Sequence, residues 1–269
     1  MALAWFRGFR GSAIAGCYAA GLFLAGTGVV FAADFSVRDM TERLFAADAG
    51  TPVDFAGHDL SQLDLAGLNF KAAKLSGADL FGADLSGADL SGVDLVRARL
   101  DRTVIISSRF VRANLSEASL LRPSTSNELV PRAGEAADFT DANLTNAKLF
   151  GRFDGASFRG ANMSGATLAP FGRTGFIENI WRSDLRSADL SGANLTGANL
   201  GHAMLAFAKL RGANLRDARL CDADLSGADL SGADVAGADF TGAILDGAKL
   251  NDTIGLAQAI GMARKRELQ

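Results

Sequence analysis

The chain has 269 residues, of which 48% are apolar, so it is long enough to bury a sizeable core. Its formal net charge of −3 excludes the basic excess that a phosphate-binding surface would need. Only 8% of the residues are aromatic, and Leu and Ala dominate beside 31 Gly. A core filled mainly by two kinds of side chain indicates one small space filled in the same way many times, which is typical of a repeat protein.

Residues 1–32 are predicted to be an export signal. Arg7 and Arg10 form a basic start, an uncharged stretch follows over residues 11–31, and Ala32 completes a small-x-small cleavage motif ahead of the first acid. Without this segment the net charge would be about −5, because two positive charges are removed from −3. The expected localisation is therefore extracytoplasmic, either periplasmic or secreted.

Two alternatives to a cleaved signal stay open. The stretch from Ala13 to Phe31 is just long enough to span a bilayer, so the segment could remain as a membrane anchor. Residues 14–17 (Ile-Ala-Gly-Cys) resemble a lipobox, although most of the apolar run follows Cys17 rather than preceding it. With Cys17 in the signal, Cys221 is the single remaining thiol, and no disulfide framework is expected. We interpret Cys221 as inert, with a link between two chains as the alternative.

Residues 34–50 are predicted to form an amphipathic capping helix. Ser36 can act as the N-cap with Asp39 three residues later, and Phe35 is placed to pack against Met40. A solenoid needs a polar-faced end that covers its first coil, so capping is the expected role of this helix.

A large apolar residue recurs every five positions through residues 53–252. It is usually Leu, with Ala two positions earlier and Asp or Asn between them, as in residues 78–80. A period of five fits neither an α-helix nor a flat β-strand. A chain that bends once per repeat would direct every Leu inward. Pairs such as Ser76-Gly77 suit the centre of a type II turn, because Gly supplies the positive φ that such a turn requires.

The tandem pattern A-[D/N]-L-S-G resembles the pentapeptide-repeat family over about 200 of the 269 residues. The resemblance implies an all-β fold, a right-handed quadrilateral β-helix in which four repeats make one coil and the Leu and Ala side chains lie inside. Roughly 34 repeats would give about eight or nine coils, and a strand spacing of about 4.8 Å would give a rod about 40 Å long.

The charges support a coil of twenty residues. Outward residues at that spacing should be neighbours in adjacent coils, where opposite charges attract. One series alternates in sign: Asp189, Lys209, Asp229 and Lys249. The pattern is not universal, because Asp64 and Asp84 share a sign.

Two interruptions, residues 121–136 and 169–182, are predicted to be surface excursions. Leu120 and Leu185 are 65 residues apart, a multiple of five, which favours one solenoid over three separate domains. A one-residue slip of the register is expected near Leu149–Phe153. The second excursion contains the aromatic and basic side chains that dominate interface hot spots. The candidate protein-binding residues are Phe171, Arg173, Phe176 and Trp181. The alternative is that these aromatics fold back over an irregular coil.

Two further features lie beside the regular repeat. A local basic stretch consists of Arg97, Arg99, Arg102, Arg109, Arg112 and Arg122. Residues 253–269 are predicted to form a second short helix that caps the C-terminal end. Pairing of this helix with another copy of the chain is the alternative, so a homodimer stays open.

No catalytic, cofactor-binding or metal-binding constellation is predicted. The Asp residues follow the spacing of the repeat, which favours solvated faces and turn hydrogen bonds over an acid–base pair. His58 is expected in an inward slot and His202 in an outward one, with no Cys near enough to suggest a zinc site. No phosphate-binding loop or dinucleotide fingerprint occurs. The Asn-x-Ser/Thr triplets at Asn114, Asn143, Asn162 and Asn194 arise from the repeat itself.

The sequence favours an exported, non-enzymatic protein-binding or scaffold module with an unidentified protein partner and no small-molecule substrate. Membrane contact is expected only through an uncleaved N-terminal segment, and the net negative charge disfavours nucleic acid. The resemblance supplies the alternative function, because some pentapeptide-repeat proteins are similar to B-form DNA in shape and charge and act on type II topoisomerases. That role requires a cytoplasmic location and a continuous acidic face. The predicted signal opposes the first, and interleaved Lys and Arg weaken the second.

Overall fold

The computed structural model describes residues 33–47, 51–126, 134–169 and 182–262. All of these residues belong to one unit, Ala32–Gln269. The predicted export segment, residues 1–32, lies outside the described residues. Among the residues that are described, no helix is both long and apolar enough to cross a membrane.

The repeat winds into the predicted right-handed quadrilateral β-helix of parallel coils. In the regular blocks, outward residues pair through parallel bridges with partners twenty residues away, such as Asp54 with Lys74 and Asp189 with Lys209. This spacing confirms the coil length that the alternating charges predict. Nine successive bridges lead from Asp54 to Ile254 along one face, so the helix makes nine turns. At about 4.8 Å per coil, nine turns correspond to about 43 Å.

The β-helix has four faces, which we number in the order in which the chain visits them. Face 1 begins with Asp54, face 2 with Asp59, face 3 with Asp64 and face 4 with Asn69. In each repeat the outward residue precedes the inward Leu, and two turn residues follow, which we call the first and second turn positions. The second turn position has a positive φ at most corners, where Gly is frequent but residues such as Gln62 also occur.

The backbone N–H groups of a repeat have fixed partners. In the Leu195 repeat, the Asn194 N–H donates to Ala161 O at 2.9 Å in the preceding coil, and the Leu195 N–H donates to the following coil at 2.7 Å. The Ala198 N–H closes the turn by donating to Leu195 O at 3.0 Å. The Gly197 N–H donates to Arg216 O of the following coil at 2.9 Å. The fifth donor, the Thr196 N–H, donates to Asn194 Oδ1 at 3.2 Å. The preference for Asp or Asn at the outward position therefore reflects hydrogen bonding to the turn as well as exposure.

Ionised carboxylates perform this turn role on three consecutive faces. They belong to Asp229, Asp234 and Asp239. Hydrogen bonds from the side chain or the backbone of the first turn residue lower the pKa of all three carboxyls below the usual 3.8. Because the folded-state pKa is below the unfolded one, these carboxylates stabilise the fold above pH 3.8, and that stability is lost as the pH falls through the folded pKa values.

We expect the triple variant Asp229→Asn, Asp234→Asn, Asp239→Asn to lose less unfolding free energy than the wild type between pH 7 and about pH 2.5. The amide keeps the acceptor oxygen for the turn N–H but does not titrate. Urea unfolding followed by circular dichroism at both pH values measures the difference. An identical pH dependence in the two proteins would show that these turns do not contribute to acid sensitivity.

The core consists of the inward Leu and Ala side chains, nearly all of which have no exposed surface. It changes in the middle coils, where Phe110, Phe139 and Phe158 stack in parallel with ring centroids 4.8 and 4.9 Å apart. Phe153 lies edge-on to Phe139 at 6.4 Å and to Phe158 at 6.1 Å. These larger rings fill the coils in which the repeat is irregular.

The N-terminal end of the β-helix is covered by helix α1 (Val37–Ala46). Ser36 and Asp39 form a capping box at its start, and Met40 and Leu44 are buried in the same core as the coils. The helix is shorter than the predicted range 34–50, because Ala47 is already extended. Residues 48–50 lie outside the described residues.

The predicted C-terminal helix is wrong for residues 253–262, which form turns and bridges. The Ile254 N–H donates to Ala233 O, and the Ile260 N–H donates to Ala238 O, each at 2.8 Å. Gly261 has a φ of +80° and lies so close to the preceding coil that a Cβ would stand 2.7 Å from the Thr241 nitrogen. This segment therefore continues the β-helix. Residues 263–269 lie outside the described residues.

An asparagine ladder occupies the middle of face 1. Its members follow one another in adjacent coils: Asn114, Asn143, Asn162, Asn194 and Asn214. Asn143 Nδ2 donates to Asn114 Oδ1, and Asn194 Nδ2 donates to Asn162 Oδ1, each at 3.0 Å. Asn162 Nδ2 donates to Thr145 Oγ1, also at 3.0 Å. The side chains thus add a second set of hydrogen bonds beside the backbone ladder.

Candidate functional site

All three breaks of the repeat border face 3 in successive coils. The outward residues there are Ser124, Arg152 and Asp184. Bridge partners are 29 residues apart across the first excursion, 19 across the slip and 32 across the second excursion, against twenty in the regular coils. The first excursion leaves after Ser126, the slip lies just before Arg152, and the second excursion returns just before Asp184. Segments that are distant in sequence therefore depart from one side of the β-helix.

The base of the first excursion is fixed at the corner between faces 3 and 4. The Ser107 N–H donates to Glu135 O at 2.7 Å, and its hydroxyl donates to Gly134 O at 2.8 Å. The Ser126 hydroxyl donates to Glu135 Oε2 at 2.8 Å, which joins the outgoing and returning strands of the excursion. Residues 127–133 lie outside the described residues.

The slip occurs where strand β1 (Ser119–Leu121) pairs in parallel with strand β2 (Lys148–Phe150). Gly151 follows β2 with a φ of +139°, and a Cβ there would stand 3.0 Å from the Cα of Arg122. Only a residue without a side chain fits this approach of two backbones. The coil is thereby shortened by one residue while the pairing on the neighbouring faces continues.

The return of the second excursion is held by a buried hydroxyl. Ser183 is 1% exposed, and its Oγ donates to Leu168 O, the last inward position before the excursion leaves. The Asp184 N–H donates to Gly151 O at 2.8 Å. Hydrogen bonds therefore join the two ends of the excursion to each other and join its return to the preceding coil.

Next to this return, four charged side chains form an alternating network on face 3. Arg152 Nε donates to Asp154 Oδ1 at 3.3 Å within one coil. In the next coil Arg186 binds Asp184 through two bonds, Nε to Oδ1 at 2.9 Å and Nη2 to Oδ2 at 2.6 Å. The hydrogen bond from Asp184, together with its charge, raises the pKa of Arg186 above its ordinary value. Arg152 pairs with Asp184 in the ladder, so opposite charges adjoin both along the chain and between coils.

The predicted recognition residues of the second excursion are Phe171, Arg173, Phe176 and Trp181. They lie outside the described residues, in the segment between Ala169 and Arg182. Their assignment as binding residues therefore stays a prediction. The structure describes only the base from which that segment departs.

The predicted basic stretch is not one patch. Arg97 and Arg102 occupy second turn positions at different corners, whereas Arg99 is outward on face 2. Arg97 approaches Glu117 at 3.6 Å, and Arg99 bonds to Asp79 at 3.0 Å. The stretch is continuous only in sequence, because each turn of the chain moves successive arginines to another side of the β-helix.

The histidines and the cysteine have separate surroundings. His58, predicted inward, is half exposed in the first coil, and its Nδ1 lies 3.0 Å from the Asp34 carboxylate. His202 occupies a second turn position at the corner between faces 2 and 3, many coils away from His58. Burial raises the pKa of the Cys221 thiol, which contacts Asp239 Oδ2 at 3.2 Å. Within the described ranges, no group of three or more His, Cys, Asp or Glu could hold a metal ion.

Sequence reasoning missed Phe207, which lies on the corner between faces 3 and 4. It occupies a second turn position with a φ of +61°, and the residue is 68% exposed. The signal was available in the sequence, because this position of the repeat is usually Gly or a polar residue.

A family model for pentapeptide repeats matches the chain in eight copies, over residues 53–82, 83–120, 137–169, 183–222 and 218–254. The two unmatched intervals between these ranges, residues 121–136 and 170–182, correspond to the two excursions. No curated protein matches the chain by sequence.

Several solved structures are similar to the chain. HetL, a pentapeptide repeat protein involved in heterocyst differentiation regulation from the cyanobacterium Nostoc sp. strain PCC 7120, is 27% identical over 84% of this chain and 98% of its own, with a TM-score of 0.43. Rfr23 from the cyanobacterium Cyanothece 51142 is 26% identical over 54% of this chain and 90% of its own, with a TM-score of 0.23. QnrB1, a plasmid-mediated fluoroquinolone resistance protein, is 21% identical over 73% of this chain and 91% of its own, with a TM-score of 0.27.

Proposed function

The chain belongs to the pentapeptide repeat family, and from this premise we propose that it is a non-enzymatic protein-binding module that acts outside the cytoplasm. The observation that carries the proposal is the gathering of all three breaks of the repeat on face 3. A β-helix of identical repeats would present the same surface on every side, so the breaks distinguish this side of the β-helix from the others. Loops on a rigid scaffold are the usual place for binding residues.

The fixed bases of the excursions support this proposal. A loop that is ordered at both ends loses less conformational entropy when it binds than a free segment would. Ser183 and the pair of Arg186 with Asp184 hold the second excursion at its return, and Glu135 holds the first. Aromatic residues in the second excursion, Trp181 above all, are the proposed contacts.

The interior supports binding rather than catalysis. Three of the buried hydroxyls, on Thr103, Ser108 and Ser183, donate to the main-chain carbonyls of Leu100, Leu85 and Leu168, whereas the buried Thr125 hydroxyl has no partner among the described residues. The hydrogen-bonding capacity of these three hydroxyls serves the β-helix. Apart from Asp184, which is buried and bound by Arg186, the described carboxylates are at least partly exposed, and turn N–H groups or cations accompany many of them.

The alternative, a DNA-mimicking modulator of a type II topoisomerase, is less well supported. Along each of the four described faces, at most two acids follow one another in adjacent coils, as Asp59 and Asp79 do on face 2. A mimic of the DNA phosphates needs a longer acidic series. A supercoiling assay with gyrase and residues 33–269 tests this role, and inhibition at micromolar concentration would favour it over the proposal.

We expect the purified exported form to recover a specific protein from the extracytoplasmic fraction of its source cells, and the variant Trp181→Ala to recover much less of it. Loss of a central aromatic anchor commonly weakens binding by about 2 kcal/mol or more, roughly thirtyfold. Quantitative mass spectrometry of the eluates measures the ratio. The control is Phe45→Ala, which removes an 86% exposed ring from helix α1. Equal recovery by the wild type and Trp181→Ala would contradict the role of the excursion.

The location has a separate test. A fusion of the full chain to a fluorescent protein that matures in the periplasm should accumulate outside the cytoplasm, whereas removal of residues 1–32 should retain it inside. A cytoplasmic signal from the full chain would contradict export.

A further inference from the structure

Phe207 adopts a backbone conformation that disfavours its own side chain. Its φ of +61° lies in the left-handed region, which Gly adopts without steric strain but which is unfavourable for a bulky residue. It is the sole Phe, Tyr or Trp among the described residues with positive φ. The corresponding corner residues in the neighbouring coils are small, Ser187 above it and Gly227 below it. The ring therefore projects alone from an otherwise smooth corner.

The fold gains little burial in return for this strain. Phe207 is 68% exposed. One edge of the ring lies over Gly227, so close that a Cβ on that residue would stand 2.7 Å from Cδ1. Ala206 is nearly buried beside it, and Met204 is half-buried on face 3 of the same coil. Strained residues that the fold does not need are a recognised mark of functional positions.

Two ion pairs adjoin this corner, and in each of them the cation is the more exposed partner. Arg186, one coil above, is 54% exposed while its partner Asp184 is 5% exposed. Lys209, two residues along the chain on face 4, is 61% exposed while its partner Asp189 is 26% exposed. A partner at this corner would therefore meet an aromatic ring with two cationic groups on the side of the preceding coil and of face 4, while the exposed Asp246 lies at the same corner two coils further on.

We propose that Phe207 is the apolar anchor of a protein–protein contact, with Arg186 and Lys209 as its rim, and that the partner offers an apolar pocket bordered by carboxylates. This inference rests on the proposed function and adds a contact within the described residues. A central aromatic ring surrounded by charged groups is the usual anatomy of an interface hot spot. One ring and one thioether are too little apolar surface to hold a protein on a lipid bilayer, which needs stronger or additional anchors.

The first experiment places the photo-crosslinking analogue benzoylphenylalanine at position 207 of the full chain in its source cells. We expect a discrete crosslinked product with one protein. The same analogue at position 45, on the exposed ring of helix α1, is the control and is expected to give no such product. Crosslinking to lipid alone, or only to a second copy of the chain, would overturn the assignment of the partner.

The second experiment purifies the partner that crosslinking identifies. Biolayer interferometry then measures its affinity for the wild type and for three variants of this chain. Phe207→Gly should unfold at a higher temperature than the wild type, because the strain is removed, yet bind at least about tenfold more weakly. Phe45→Ala should bind as the wild type does. Lys209→Glu should associate more slowly at low salt, with a smaller difference at high salt.

The outcomes separate the two proposals. Undiminished binding by Phe207→Gly overturns the anchor, and the proposed function stands if Trp181→Ala still weakens recovery. A lower unfolding temperature for Phe207→Gly would show that the ring serves the fold and would also overturn the anchor. Recovery of no specific protein by the wild type would refute the proposed function itself.

Discussion

Replacing Lys209 with proline is expected to destabilise the β-helix severely, whereas the same replacement at Arg211, two residues on, is expected to leave it folded and slightly more stable. The Lys209 N–H donates to Ala188 O at 2.9 Å, so proline at this outward position removes a ladder bond in the middle of a stack. The expected loss is about 3 kcal/mol or more.

Arg211 occupies the first turn position, and its N–H donates no hydrogen bond within the described residues. Proline suits this position of a type II turn and reduces the entropy of the unfolded chain, which stabilises by about 0.4–1 kcal/mol. Both variants remove one cation that faces an acid, Asp189 at 3.8 Å and Asp229 at 3.6 Å, so the loss of charge is matched. Urea unfolding at neutral pH compares them. Similar stability of Lys209→Pro and Arg211→Pro would show that the ladder bond is dispensable.

The second large effect is expected from Phe158→Ala, at about 3–5 kcal/mol of unfolding free energy. Phe158 has no exposed surface, stacks on Phe139 at 4.9 Å and meets the edge of Phe153 at 6.1 Å. Truncation would leave a cavity in coils that an excursion borders on each side, and the chain there cannot collapse without moving the ladder.

Phe158→Leu is the matched variant, because Leu190 occupies the same inward position in the next coil of face 4. We expect it to cost less than about 1.5 kcal/mol, since Leu fills most of the volume. Denaturant unfolding gives both values, and near-ultraviolet circular dichroism reports the aromatic packing. A cost for Phe158→Ala no larger than that for Phe158→Leu would contradict the role of the stack in filling the irregular coils.

The regular part of this fold could be predicted because its information is local. Every repeat carries its own inward Leu, its own turn and its own outward acceptor, so five residues suffice to identify the unit. The coil length of twenty residues was predicted from one relation between distant residues, the alternating charges of Asp189, Lys209 and their successors. The parallel bridges between these residues confirm that length.

The position of the breaks could not be predicted in the same way. To assign an excursion to a face, one must know by how many residues each earlier coil is longer or shorter than twenty. These differences add up along the chain. The slip depends on the contact of Gly151 with Arg122, which no local pattern reveals. The prediction of a C-terminal helix is wrong for a related reason. The sequence from Thr253 suits a helix, but the open ladder of the preceding coil offers carbonyls to Ile254 and Ile260, and tertiary pairing overrides the propensity.

The asparagine ladder on face 1 has a consequence for the timing of any glycosylation. Four of its members head an Asn-x-Ser/Thr triplet: Asn114, Asn143, Asn162 and Asn194. The amide nitrogen that would carry a glycan is the atom that, at three of these residues, donates to the neighbouring coil. A closed coil therefore withholds these nitrogens from a glycosyltransferase, and sugar could be added only while the chain is still open. In a secretory pathway that glycosylates such triplets, the fraction of chains with a glycan on Asn162 would measure how often glycan transfer precedes the closure of this coil.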